Sequence, residues 1–114
     1  MGQFKLQRSS LTYDNVGGTI SVRIDLDGQA DGFGRTLGTL GANPANADEG
    51  SWSWTGVSFP DTGDSQTGVG TGTFRKTSAS VWALEGHIDI SGGSRADLSG
   101  SFNLLDGTFS GSLS

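Results

Sequence analysis

The chain has no cysteine, a single histidine and only two prolines among its 114 residues. Without cysteine it forms neither a disulfide nor a thiolate metal site. Because imidazole and thiolate are the usual ligands of catalytic transition metals, such a site is not expected here either. The sequence therefore predicts no metal and no cofactor.

Apolar residues are also scarce, at 32 % of the chain, and no apolar run approaches the ~18 residues of a membrane-spanning helix. Residues Met1 to Lys5 do not resemble the apolar region of a signal peptide. We expect a cytoplasmic protein if this N-terminus is the native one, and the compartment is otherwise left open.

Positive charge is limited too, since the net charge is −5 and the isoelectric point is near 4.4. Nucleic acids and anionic membranes both attract basic surfaces. We therefore expect neither of them as a partner.

Glycine, in contrast, is abundant, with 20 residues where an average composition of ~7 % would give about eight. Helix interiors disfavour glycine by ~1 kcal/mol relative to alanine. A glycine followed two positions later by an apolar residue recurs at least seven times, and residues i and i+2 of a strand share a face. This spacing predicts sheets with glycine beside a large apolar side chain, in copies that start at Gly18, Gly38, Gly72, Gly86, Gly100, Gly107 and Gly111.

Alternation of apolar and polar residues predicts one domain over residues 1–114 with eight strands, at 4–13, 17–26, 34–41, 50–59, 68–77, 80–91, 94–104 and 107–113. Matching the apolar faces of neighbouring strands predicts the hairpin registers of the second half. The predicted partners are Phe74 with Trp82, Gly86 with Gly100, and Phe102 with Gly111. The loops left between these strands are Gly92-Gly93-Ser94 and Asp106-Gly107, the second being a favoured type I′ turn.

Eight short antiparallel strands with glycines at bends are typical of a small up-and-down β-barrel of calycin-like shape. A closed barrel also removes the exposed edges of the many Ser- and Thr-rich strands. A two-sheet β-sandwich is the alternative fold.

The apolar face of this barrel would surround its interior with aromatic side chains opposite glycines. An eight-stranded barrel either holds one small ligand or is filled by its own side chains, and both alternatives stay open. The candidate ligand-binding residues are Trp52, Trp54, Phe74, Trp82, Leu84, Phe102 and Phe109.

Polar residues elsewhere are candidates for chemistry that we weigh against plain structural roles. Glu85, His87 and Asp89 alternate on one strand face, with Asp97 expected opposite Asp89. Such a cluster is suited to acid and base catalysis. The opposite face is the apolar one, so a solvated outer wall is the favoured interpretation.

The first half of the chain offers weaker polar candidates. Arg23 and Asp25 are interpreted as a solvated pair, which would face inward only if the strand assignment shifts by one residue. Residues 25–32 are acidic and glycine-rich, but positions six and twelve of a calcium loop would hold Ala30 and Thr36. A hairpin turn is therefore favoured there.

Three functional hypotheses follow. The leading one is binding of a small hydrophobic or aromatic molecule inside the barrel. The second is an isomerase or cyclase of natural-product metabolism that holds a flexible substrate in a reactive conformation, which depends on whether Arg23, Arg75, Glu85 or His87 faces the interior. The third is a structural or carbohydrate-binding module with Trp52 and Trp54 exposed. A homo-oligomer is also expected, with an outer face such as that around Val81 becoming buried.

Overall fold

Eight antiparallel strands form a closed barrel in a computed structural model, which describes residues 2–114. Each strand pairs with its sequence neighbours, and β8 pairs with β1 to close the sheet. The up-and-down barrel is confirmed and the β-sandwich is not observed. The described residues contain no helix that could cross a membrane. The strands are β1 Gly2–Val16, β2 Thr19–Ala30, β3 Gly34–Asn43, β4 Glu49–Phe59, β5 Gln66–Ser78, β6 Val81–Ile90, β7 Ser94–Asn103 and β8 Thr108–Leu113.

Strand boundaries in the first half differ from the predicted ones. β2 continues to Ala30, so the acidic segment predicted as a connection over 27–33 lies mostly within a strand. The first hairpin turns at Gly17 and Gly18, which have φ of 61° and 88°. Positive φ at both central residues is the requirement of a type I′ turn, so Gly18 belongs to a turn rather than to the predicted strand 17–26.

The predicted hairpin registers of the second half are wrong by two residues in each case. Because side chains alternate with a period of two, this shift leaves every residue on its predicted face. The observed partners are Phe74 with Leu84, Gly86 with Leu98, and Phe102 with Phe109.

The turns explain these shifts. The last hairpin has a four-residue loop, 104–107, in which the Asn103 carbonyl accepts a hydrogen bond from the Gly107 amide at 2.8 Å. The Asn103 side chain also accepts from the Leu105 amide at 3.0 Å, as Asn does in turns. The β6–β7 loop is 91–93 rather than 92–94, and a β-bulge between Lys76 and Ser78 adds a residue to β5.

The loops divide the barrel into two ends, named here after one aromatic residue at each. The Phe33 end carries the loops 31–33, 60–65 and 91–93. The Trp82 end carries 17–18, 44–48, 79–80 and 104–107. The 44–48 loop is held on the Trp82 end by hydrogen bonds from the Ala45 amide to the Ile20 carbonyl and from Trp82 Nε1 to the Ala47 carbonyl.

Candidate functional site in the barrel interior

The seven predicted ligand-binding residues all lie in the barrel interior. Their exposed fractions run from 2 % for Trp52 and Phe109 to 8 % for Trp54 and Trp82. They belong to β4, β5, β6, β7 and β8, and alternation along each strand directs them inward. Burial of both Trp52 and Trp54 means that the tryptophan strand does not form the exposed surface expected of a carbohydrate-binding module.

The interior glycines accommodate the two β4 indoles. A Cβ added at Gly72 or Gly86 would lie only 2.7 Å from the Trp52 indole. Gly38 and Gly56 provide the same space for Trp54, whose indole lies 2.6 Å from where a Gly56 Cβ would be. The volume that these four glycines leave free is therefore filled by tryptophan, and the centre of the barrel is closed.

Two small cavities remain, one at each end of this closed centre. The Phe33 cavity has a volume of about 80 Å³ and the Trp82 cavity about 60 Å³. Trp54 and Phe109 line the Phe33 cavity, whereas the Trp82 cavity is lined by the other five predicted residues, Trp52, Phe74, Trp82, Leu84 and Phe102. The barrel is thus filled by its own side chains at the centre and leaves a small cavity at each end.

The Phe33 cavity contains two polar groups on β4. Trp52 Nε1 donates to the carbonyls of Thr73 and Glu85, both at 3.1 Å, and Trp82 Nε1 donates to Ala47. Trp54 Nε1 and the Ser58 hydroxyl make no hydrogen bond within residues 2–114. No inaccessible polar side-chain atom of the described residues lacks a partner, so both groups reach open space. Trp54 and Ser58 both line the Phe33 cavity, and so does Gly56, where an added Cβ would lie 2.8 Å from Trp54 Nε1.

Several lining residues of the Phe33 cavity were not among the sequence candidates. Phe4 and Leu6 of β1 are buried there, and the Phe4 ring meets Phe109 edge to face with centroids 4.9 Å apart. Their alternation with Lys5 and Gln7 was the available signal. Ser58 carried no signal, because only its place on the inward face of β4 distinguishes it from the outer serines.

The titratable residues that would decide the enzyme hypothesis all lie on the outer wall. Arg23, Arg75 and Glu85 are exposed and His87 is half-buried, with none of them lining either cavity. Within the described residues, no Asp, Glu, His, Lys or Arg lines either of these two interior cavities. The interior thus offers no acid or base of these types to a bound molecule.

The β6 and β7 polar cluster has a structural arrangement on that outer wall. Arg95, and not Asp97 as expected, is opposite Asp89, and it donates from Nε to Asp89 Oδ1 at 2.6 Å. This hydrogen bond holds the pKa of the Asp89 carboxyl below its ordinary value. His87 Nε2 lies 3.9 Å from Asp89 Oδ2. The outer-wall interpretation of this cluster is confirmed.

Arg23 and Asp25 lie on the outer face as expected, but they do not pair with each other. Arg23 contacts Asp14 of β1 at 3.0 Å, and both side chains are well exposed. Asp25 accepts hydrogen bonds from the hydroxyls of Ser10 at 2.5 Å and Thr39 at 2.7 Å. The carboxylate is thereby shared by the three strands β1, β2 and β3.

The chain matches no protein-family model, no curated protein and no solved structure.

Proposed function

We propose that the protein binds a small, mainly apolar or aromatic molecule carrying one oxygen acceptor, in the Phe33 cavity. The observation that carries this proposal is the Trp54 indole N–H, which has no hydrogen-bond partner within residues 2–114 and belongs to a residue that lines an apolar cavity. Ligand sites typically combine an apolar wall with a few polar groups that orient the ligand. Here the wall includes Phe4, Leu6 and Ile88. Its polar side chains include Trp54 and Ser58, which have no partner within residues 2–114, and Thr36, whose hydroxyl donates to the Gly34 carbonyl.

The size of the cavity limits the ligand class. At about 80 Å³ it is smaller than an engineered cavity of about 150 Å³ that admits benzene. A single-ring ligand therefore requires a wall residue to move outward, and we assign this movement to Phe33, a half-buried side chain on the short 31–33 loop. Trp54 and Phe109 close the inner end of the Phe33 cavity, so the chain of a long lipid cannot extend further into the barrel.

Acetophenone and ethylbenzene form a matched pair of probes for this site. They share a ring and a short side chain, and only acetophenone has a carbonyl that accepts a hydrogen bond. Binding is followed by two-dimensional NMR of the backbone amides around Ser58 and Ile88. We expect acetophenone to bind roughly 3- to 10-fold more tightly than ethylbenzene, because one additional hydrogen bond contributes ~0.5–1.5 kcal/mol.

Two variants assign the effect to Trp54. Trp54→Phe keeps a ring and removes the N–H, so the preference for acetophenone should disappear. Trp82→Phe makes the same change at the opposite end, and the preference should persist. Absence of any shift at the Phe33 end with either probe at its solubility limit would contradict the proposal.

The other hypotheses receive no added support from the geometry. An isomerase or cyclase would have to act without an Asp, Glu, His, Lys or Arg in either cavity, by positioning its substrate. An interaction module based on exposed tryptophans has no such surface, because Trp52 and Trp54 are buried.

A further inference from the structure

The second half of β1 is paired on one side only. β8 covers β1 from Gly2 to Gln7, and the last contact is the hydrogen bond from the Arg8 amide to the Gly107 carbonyl at 2.8 Å. Beyond a bulge between Arg8 and Ser10, β1 continues to Val16 with β2 as its one neighbour. We call residues 10–16 on this side the free edge.

The hairpin geometry determines which backbone groups the free edge presents. The type I′ turn at Gly17 and Gly18 closes on a hydrogen-bonded pair, Val16 with Thr19. Hydrogen-bonded and non-hydrogen-bonded pairs alternate along an antiparallel ladder. The backbone N–H and C=O groups of Leu11, Tyr13 and Asn15 therefore point outward, away from β2.

The free edge has few of the features that keep edges unpaired. Natural edges are protected by proline, lysine, short length or covering loops. Here seven residues contain neither proline nor lysine, and the single charge, Asp14, is already paired with Arg23 at 3.0 Å. Tyr13 and Val16 are more than half exposed, at 53 % and 54 %.

We infer that the free edge pairs antiparallel with the free edge of a second copy of this chain, about a two-fold axis at Thr12. In this register Leu11 of each copy lies opposite Tyr13 of the other, and their outward backbone groups form two reciprocal hydrogen-bonded pairs. Asp14 lies opposite Ser10 of the second copy, so no like charges meet. The two barrels then share a continuous sheet, and each edge is covered by an identical one.

Neighbouring registers are less complementary. An axis at Tyr13 places Leu11 opposite Asn15, an apolar residue against a carboxamide. An axis at Asp14 brings the two Asp14 carboxylates opposite each other, and like charges directly opposite destabilise a strand pair. With the axis at Thr12, Leu11 faces Tyr13 and no like charges meet. Because the edge is complementary to itself in this register, we assign a second copy of the chain as the partner.

The absence of cysteine allows a clean crosslinking test. At the axis, the two Thr12 residues form a non-hydrogen-bonded pair with Cα atoms about 4.5 Å apart, which lies within the range of a disulfide. Thr12→Cys should form a disulfide dimer under mild oxidation, several-fold faster than Tyr13→Cys or Asp14→Cys. Thr55→Cys, an exposed outer position on β4, is the matched control and should form no disulfide dimer, because position 55 lies outside the paired edge.

Sedimentation of the unmodified chain gives an independent readout. We expect the chain to pass from monomer to dimer at protein concentrations between roughly 1 µM and 1 mM, as for a small interface. Tyr13→Glu should weaken this association several-fold. Fastest crosslinking at position 13 or 14 would overturn the register at Thr12. A monomer throughout this range, with Thr12→Cys crosslinking no faster than Thr55→Cys, would overturn the pairing itself.

Discussion

The indole of Trp52 lies across the strand backbone at Gly86, where a Cβ would be 2.7 Å from Trp52 Cζ2. The same indole covers Gly72, the direct partner of Gly86 in the β5–β6 ladder. Its Nε1 donates to the carbonyls of Thr73 and Glu85, each next to one of these glycines. One tryptophan thus fills the space of two missing side chains and is tied to both strands.

Gly86→Ala should therefore be strongly destabilising for such a small change. The added methyl group would meet the Trp52 ring and the backbone of β5, and overpacking of this kind costs about 1–3 kcal/mol. Urea denaturation followed by tryptophan fluorescence measures the free energy of unfolding.

The matched control for this substitution is Gly41→Ala on β3. A Cβ at Gly41 would be 3.1 Å from the Ser53 hydroxyl, which can rotate away, and would meet little else. We expect a change within about 0.5 kcal/mol, as for most surface substitutions. Equal losses for the two variants would show that strand glycine as such, and not the tryptophan contact, determines the cost.

Face assignment and register differ in how far the sequence determines them. Alternation placed Trp82, Leu84 and Ile88 on the inward face, where the structure has them. Alternation has a period of two, so it is satisfied equally by registers that differ by two residues. The turn selects among these registers, and the side-chain hydrogen bonds of Asn103 favour a longer loop than Asp106-Gly107 suggested.

The sequence predicts which residues line the barrel interior, but not which parts of the interior are filled and which are cavities. Inward aromatics opposite glycines were evident from spacing alone. Whether a glycine leaves a cavity depends on which indole lies over it across neighbouring strands, as Trp54 does over Gly38 and Gly56. That placement depends on the register and side-chain rotamers, so the closed centre and the two end cavities could not be predicted.

The hydrogen bonds of Trp52 predict a difference between the two β4 tryptophans. Trp52→Phe removes an N–H bonded to two carbonyls in the closed centre, and the two acceptors lose a partner. Trp54→Phe also removes an indole N–H, but this N–H has no hydrogen-bond partner within residues 2–114. We expect Trp52→Phe to lower the free energy of unfolding by about 1–2 kcal/mol more than Trp54→Phe, measured by urea denaturation. An equal or larger loss for Trp54→Phe would contradict the assignment.

The 44–48 loop should depend on Trp82 for its order. Trp82 Nε1 holds the Ala47 carbonyl at 2.9 Å, and the adjacent Asp48 carbonyl accepts from the Lys76 amide. Trp82→Phe should increase hydrogen exchange of the Ala45 and Lys76 amides about tenfold, by removing about 1.4 kcal/mol of stabilisation from the closed loop.

A second variant separates the hydrogen bond from the contact between Lys76 and the Trp82 ring. The Lys76 ammonium lies 5.6 Å from the centre of this ring. Lys76→Met keeps the Trp82 hydrogen bond and should leave exchange at Ala45 within a few-fold of its original rate, because such contacts contribute ~0.5–1 kcal/mol at exposed sites. Faster exchange in Lys76→Met than in Trp82→Phe would show that the cation holds the loop.

The hydrogen bonds of Asp25 predict how its contribution to the stability of the fold changes at acidic pH. The Ser10 hydroxyl, followed by that of Thr39, holds the pKa of the Asp25 carboxyl below its ordinary value. The pKa of Asp25 is therefore lower in the folded chain than in the unfolded chain, where it is near 3.9. The carboxylate contributes its full stabilisation at pH values above about 3.9, and this contribution is lost as the pH falls through the folded-state pKa.

Ser10→Ala combined with Thr39→Val should raise the pKa of Asp25 toward 3.9 in an NMR titration of side-chain carboxyl carbons. Asp27 is the internal control, because its pKa is lowered mainly by Arg35 and should not move. An Asp25 that titrates at its ordinary value before substitution would contradict the role of the two hydroxyls.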